Sequence, residues 1–138
     1  MKAIRDFEEF IRSGIVKKQK PDKSRAEFLV KEAERNYAYL LELIRKIGIN
    51  NDNANRYIKN CHSILMDLIR AKMFLEGYNA SGYEAHKAEV SYMRNLGFNE
   101  KAIQFADQIR FFRKGILYYG TRLDKEYVEK VISFTKDK

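Results

Sequence analysis

The chain has 138 residues, 45% of them hydrophobic and 33% charged, with one proline, one cysteine and a formal net charge of +8. A chain of this length can bury one core without staples, its lone cysteine excludes an internal disulfide, and the hydrophobic share excludes a disordered polymer. The charge leaves two readings open, a face for nucleic acid or a solubilising surface, and the interleaving of acids with bases favours the second until a basic face is located.

The first residues, Met1 to Phe10, mix acids and bases without an apolar run. They resemble neither a signal nor a transit peptide, and with no run near the roughly 20 apolar residues of a membrane span the expected location is the cytosol. A first helix is predicted over Lys2 to Ser13, with Phe7, Phe10 and Ile11 on one side and Gly14 as its stop. A basic linker follows, in which Lys17, Lys18, Lys20 and Lys23 surround Pro21.

The second helix is predicted from Arg25 to Ile47, opened by a Ser24/Glu27 capping box and closed by Gly48, with Leu29, Ala33, Tyr37, Leu40, Ile44 and Ile47 at helical period. The third runs from Asn53 to Glu76 behind Asn51 as a candidate cap, carries Tyr57, Cys61, Ile64, Leu68, Ala71 and Leu75, and ends at Gly77. These two form the expected long antiparallel pair, with Leu40, Ile44, Ile64 and Leu68 in the core. A fourth helix is predicted over Tyr83 to Leu96 behind a Ser81/Glu84 capping box, a fifth from Glu100 to Tyr119 capped by Asn99, and a sixth from Lys125 with a Leu123/Val128 staple around Asp124. Gly97 and Gly120 fit the remaining stops. No strand-like alternation stands out, so the predicted fold is all-α, an antiparallel up-and-down bundle of about five to six helices in one domain spanning residues 1–138.

Chemistry-bearing residues are sparse. His62 shares the apolar stripe Ile58, His62, Leu65, Ile69, which reads as a packed histidine; Cys61 beside it points about 100° away, and no second Cys/His pair completes a metal site. His86 has no ligand-spaced partner and reads as a surface or inter-helix histidine. Neither a phosphate loop nor a hydrolase or zinc-protease motif occurs, and the acids read as solvent-face partners of bases, so no cofactor and no metal is expected.

One constellation is dense: Arg110-Phe111-Phe112-Arg113-Lys114-Gly115-Ile116-Leu117-Tyr118-Tyr119-Gly120. Ile109, Phe112, Ile116 and Tyr119 form its packing stripe, which leaves Phe111, Leu117 and Tyr118 on other sides beside three cations, Arg110, Arg113 and Lys114. Either this helix is buried all round with snorkelling cations, or it carries a second contact face. In the second case Phe111, Gly115, Leu117 and Tyr118 would form a two-fold interface, and Arg110, Arg113, Lys114 and Tyr118 a basic cleft for phosphate or nucleotide. Arg113 and Tyr118 point roughly 140° apart on an ideal helix, so they meet only where two copies cross.

The order of these features resembles the HEPN domains. The resemblance is carried by Phe10-Ile11-Arg12-Ser13-Gly14-Ile15-Val16, by Gly77-Tyr78 closing the third helix, by Ser81 to His86 opening the fourth, and by Arg113 to Gly120 followed by Asp124-Lys125-Glu126-Tyr127. It spans nearly the whole chain and is nearest to small prokaryotic stand-alone members. It implies a homodimeric helical bundle that binds nucleotide or RNA or partners a separately encoded minimal nucleotidyltransferase. Many members of the family are metal-independent ribonucleases or toxins whose signature is an arginine, a polar residue and, a few positions later, a histidine. Arg113 and Lys114 match the first two, but Tyr118 stands at the histidine position. Tyrosine, with an ordinary pKa near 10 against about 6.5 for histidine, is a poor proton acceptor at neutral pH. A non-catalytic binding protein is therefore expected, with a divergent ribonuclease using Arg113, and Tyr118 as a second candidate, as the alternative.

Overall fold

A computed structural model describes residues 4–119 and 125–136, the side chains of 113–119 and 125–126 excepted. The described residues form six helices: α1 (Phe7–Arg12), α2 (Lys23–Ile47), α3 (Ala54–Glu76), α4 (Ala85–Ser91), α5 (Glu100–Tyr119) and α6 (Lys125–Lys136). A 3-10 turn, Tyr92–Arg94, follows α4, and two short strands, β1 (Val16–Lys18) and β2 (Tyr78–Ala80), make an antiparallel ribbon. The architecture is the expected all-α helical bundle with α3 at its centre, packed against α2, α4, α5, α6 and β2.

The ribbon is a correction to the predicted basic linker. Val16 pairs with Ala80, Lys17 with Asn79 and Lys18 with Tyr78. Each strand is three residues long, too short for alternation to register in the sequence; Val16, 1% exposed, points inwards from β1, and the half-buried Tyr78 and Ala80 pack against the same cluster from β2. Backbone bonds prolong the ribbon at both ends, from Ser81 N–H to Ile15 O at 3.0 Å and from Gln19 N–H to Gly77 O at 2.8 Å.

Three helix starts also differ from expectation. Asp22, not Ser24, caps α2, accepting from Arg25 N–H at 3.0 Å, because its own N–H is tied to Phe74 O at 2.9 Å and fixes where the chain turns. Before α3, Asn50 Oδ1 accepts from Asp52 N–H and Asn53 N–H while Asn53 Oδ1 accepts from Asn50 N–H, so Asn53 occupies the cap position in place of Asn51. Ser81 and Glu84 make no capping box, since Ser81 N–H belongs to the ribbon and the Glu84 carboxylate is paired with Arg5. The predicted fourth helix is accordingly shorter, Ala85–Ser91 before the 3-10 turn. The first is shorter too, beginning at Phe7, with Ile4 buried ahead of it. Asn99 caps α5 as expected, accepting from Ala102 N–H at 2.8 Å.

Three apolar clusters share α3, the smallest of them Ala71 and Phe74 against Ala26 of α2. Of the larger two, one gathers Phe7, Phe10, Val16, Met73, Tyr92 and Ile103; the other gathers Leu40, Tyr57, Cys61, Ile64, Ile109, Val128 and Val131. Leu40 and Ile64 are buried as expected, whereas Ile44 and Leu68 are half-buried, at the edge of the α2–α3 seam. Leu40→Ala is therefore expected to cost about 2–5 kcal/mol in chemical denaturation, and Leu68→Ala clearly less. Equal losses would mean that the seam is closed to solvent at Leu68.

Candidate nucleic-acid interface

A run of exposed cations, contiguous in the sequence, lies on and beside the ribbon, with the exposed Glu76 next to its end at Gly77. Arg12, Lys17, Lys18, Lys20, Lys23 and Arg25 are all exposed, and the only acid between Arg12 and Arg25 is Asp22. Asp22 caps the start of α2, and its one negative charge stands against six cations. Lys17 and Lys18 stand on a hydrogen-bonded strand, so their backbones are already ordered before any ligand arrives. Arg25 lays its guanidinium over the Phe74 ring, 4.4 Å from the centroid, which orients a cation at the head of α2. The sequence displayed this run of cations but not the strand beneath it.

At the site predicted from the sequence, the end of α5, the side chains of Arg110 to Phe112 are described. Arg110 is largely buried and its Nε donates to Asp107 Oδ1 at 2.7 Å, a carboxylate that is itself buried. Arg110 is therefore committed to an internal partner one helical turn away. Phe111 is 55% exposed and leans on Phe112, which packs edge-on against Tyr127 at 5.2 Å. Burial pushes the Tyr127 hydroxyl up to about 12, and it reaches Gln108 Oε1 at 3.4 Å. Arg113, Lys114, Gly115, Leu117 and Tyr118 have helical backbone within α5, and their side chains lie outside the described residues. The same holds for Ile116 and Tyr119 of the packing stripe, whose Ile109 is fully buried, while Gly120, Leu123 and Asp124 are outside the described residues altogether.

A cluster that the sequence did not reveal joins α3 to α4. Glu89, 3% exposed, accepts from Arg70 Nε at 2.6 Å and Nη2 at 3.3 Å, and its Oε1 lies 2.9 Å from His86 Nδ1. The same Nδ1 lies 3.2 Å from Arg70 Nη2, so the three side chains of Arg70, His86 and Glu89 meet at one point. Asp67 lies 3.5 Å from Arg70 Nη1, and its carboxyl is held above the usual range first by burial, against the pull of Arg70, with Glu32 and Glu89 adding repulsion. His62 is packed, as expected, with the His86 ring edge-on at 5.8 Å. The expectation that acids occupy solvent faces thus fails at Glu89 and Asp107; the i, i+3 spacing of His86 with Glu89 and of Asp107 with Arg110 was the available signal. Arg70 is balanced by Glu89 and Asp67, so this cluster has no surplus positive charge for a phosphate and serves to lock α4 onto α3.

Among the described residues no three His, Cys, Asp or Glu side chains are grouped as metal ligands, and no helix is long and apolar enough to cross a membrane. Cys61 is buried, and burial raises its thiol to about 11, which keeps it protonated and unreactive. What fold and surface define is an all-α bundle with a basic two-stranded ribbon. Comparison with known protein families, with curated proteins and with solved structures finds no match.

Proposed function

We propose that this protein is a non-catalytic, HEPN-like binding bundle that takes RNA along its basic ribbon. The observation that carries the reading is the exposed set Lys17, Lys18, Lys20, Lys23 and Arg25 on an ordered strand and helix start, with Asp22 the only acid among them. Lysines and arginines on such a surface neutralise successive phosphates and release counterions, which needs neither metal nor a catalytic base. The committed state of Arg110 moves the centre of this reading from the end of α5 to the ribbon. That α5 meets a second copy of the chain is an accompanying proposal carried over from the sequence and the resemblance. A minimal nucleotidyltransferase remains the proposed protein partner, on the resemblance alone, and the cytosol the proposed compartment.

The test is binding of a labelled single-stranded RNA oligomer across a series of salt concentrations. Replacing Lys17, Lys18 and Lys20 together by Gln should weaken binding and reduce the log–log salt slope by about 2, at about 0.7 per lost phosphate contact. An unchanged slope, or no binding by the wild type at low salt, would overturn the ribbon reading. Cleavage of the oligomer that vanishes in Arg113→Ala would instead favour the ribonuclease alternative.

A further inference from the structure

The outer seam between α2 and α3 holds a groove of about 350 Å³ lined by Asn36, Tyr39 and Leu43 from α2 and by Arg56, Asn60 and Ser63 from α3. Each helix contributes residues at three- and four-residue steps, so each set lies on one face, and in the antiparallel pair the two faces meet along the seam. Seam positions beside an antiparallel helix pair commonly carry acids and bases that bridge. Charged neighbours on these helices do pair, as Glu32 with Arg35, Glu42 with Arg45 and Asp67 with Arg70. The groove departs from that pattern. No carboxylate lines it, no ion pair engages Arg56, and no side-chain hydrogen bond engages Asn36, Tyr39, Asn60 or Ser63 among the described residues.

We propose that this groove binds one nucleotide unit, a heteroaromatic base with its phosphate, free or as a residue of RNA. Tyr39, 67% exposed above the half-buried Leu43, presents an aromatic platform on which a base stacks. The amides of Asn36 and Asn60 each offer a donor and an acceptor, the combination that reads a base edge, and Ser63 offers a hydroxyl. Arg56 supplies the charge, and its planar fork suits a phosphate. Among the described residues Arg56 is the only charged one lining the groove, so the phosphate points towards Arg56. The volume lies at the small end of the roughly 300–1,000 Å³ of small-molecule sites, which suits one nucleotide and not a longer ligand. The site shares with the ribbon only the expectation of a phosphate-bearing ligand and rests on none of its residues.

Calorimetric titration with AMP, adenosine and ribose 5-phosphate, and with a single-stranded RNA oligomer, tests it. AMP should bind, adenosine more weakly, and ribose 5-phosphate not measurably. Tyr39→Ala should weaken AMP binding by about 5- to 150-fold, the usual range for a lost stacking platform, and Tyr39→Phe should retain it. Arg56→Ala should bring AMP down to the affinity of adenosine. Both positions are exposed, so each variant should melt with the wild type. A response of the oligomer but not AMP to Tyr39→Ala would assign the unit to RNA, and a response of AMP would assign it to the free nucleotide. The Lys17, Lys18 and Lys20 triple variant should bind AMP normally, so the ribbon reading can fail while the groove stands. Ligand binding indifferent to both Tyr39→Ala and Arg56→Ala, or no binding of either AMP or oligomer, would overturn the groove proposal.

Discussion

Replacing Arg70 by methionine should destabilise the fold by about 3 kcal/mol, the low end of the cost of stranding a buried charge, because Glu89 is buried while Arg70 is 31% exposed. The Glu89 side chain is 5% exposed and Arg70 is its guanidinium partner, through Nε at 2.6 Å and Nη2 at 3.3 Å. Without that cation the carboxylate keeps only His86 and must either take up a proton or drag α4 from α3 to find water. The loss belongs to the stranded charge and not to the worth of the pair, so a second substitution, Glu89→Leu, should recover most of it. Urea unfolding of the two single variants and the double variant reads all three values. A loss below about 1 kcal/mol in Arg70→Met, within the range of exposed pairs, would show that water reaches Glu89 and that the cluster does not lock α4.

Gly77→Ala should cost about 2–5 kcal/mol, combining roughly 1–2 for a side chain in the left-handed region with roughly 1–3 for overpacking. Gly77 has φ of +85°, and an added Cβ would come within 2.6 Å of the Gln19 carbonyl oxygen. That oxygen is backbone and cannot rotate away. Its residue is also held by the 2.8 Å bond from Gln19 N–H to Gly77 O, so relief requires moving the ribbon. Gly97 provides the control: its φ is +92° but nothing lies within 4 Å of an added Cβ, so Gly97→Ala should show the backbone cost alone. Equal melting temperatures for the two variants would mean that the ribbon shifts freely. If Gly77→Ala also loses RNA affinity while the control does not, the order of the ribbon contributes to binding.

The candidate sites were legible to different degrees. The cations at Lys17, Lys18, Lys20 and Lys23 are visible in the sequence, but a linker and a strand look alike when only three residues pair. The groove residues Tyr39, Arg56 and Asn60 are individually unremarkable polar positions on helices; only the register of two chain segments brings them to one surface. Arg110 misled for a related reason. Its neighbours in sequence are cations and aromatics, yet its partner is Asp107, a turn earlier and buried.

The sequence by itself determined the helices and their order, because apolar residues at three- and four-residue steps and glycines after them act within a few residues of one another. It determined the burial of Leu40, Ile64, Cys61 and His62 for the same reason. The tertiary structure alone decided the ribbon, the start of α2 at Asp22, the burial of Glu89 against Arg70 and the α2–α3 groove. Each of these depends on groups far apart in the chain, Asp22 with Phe74, Val16 with Ala80, Arg70 with Glu89 and Tyr39 with Asn60. Local propensity carries no record of such partners, since the energy that selects them comes from hydrogen bonds and desolvation that exist only once the elements have packed.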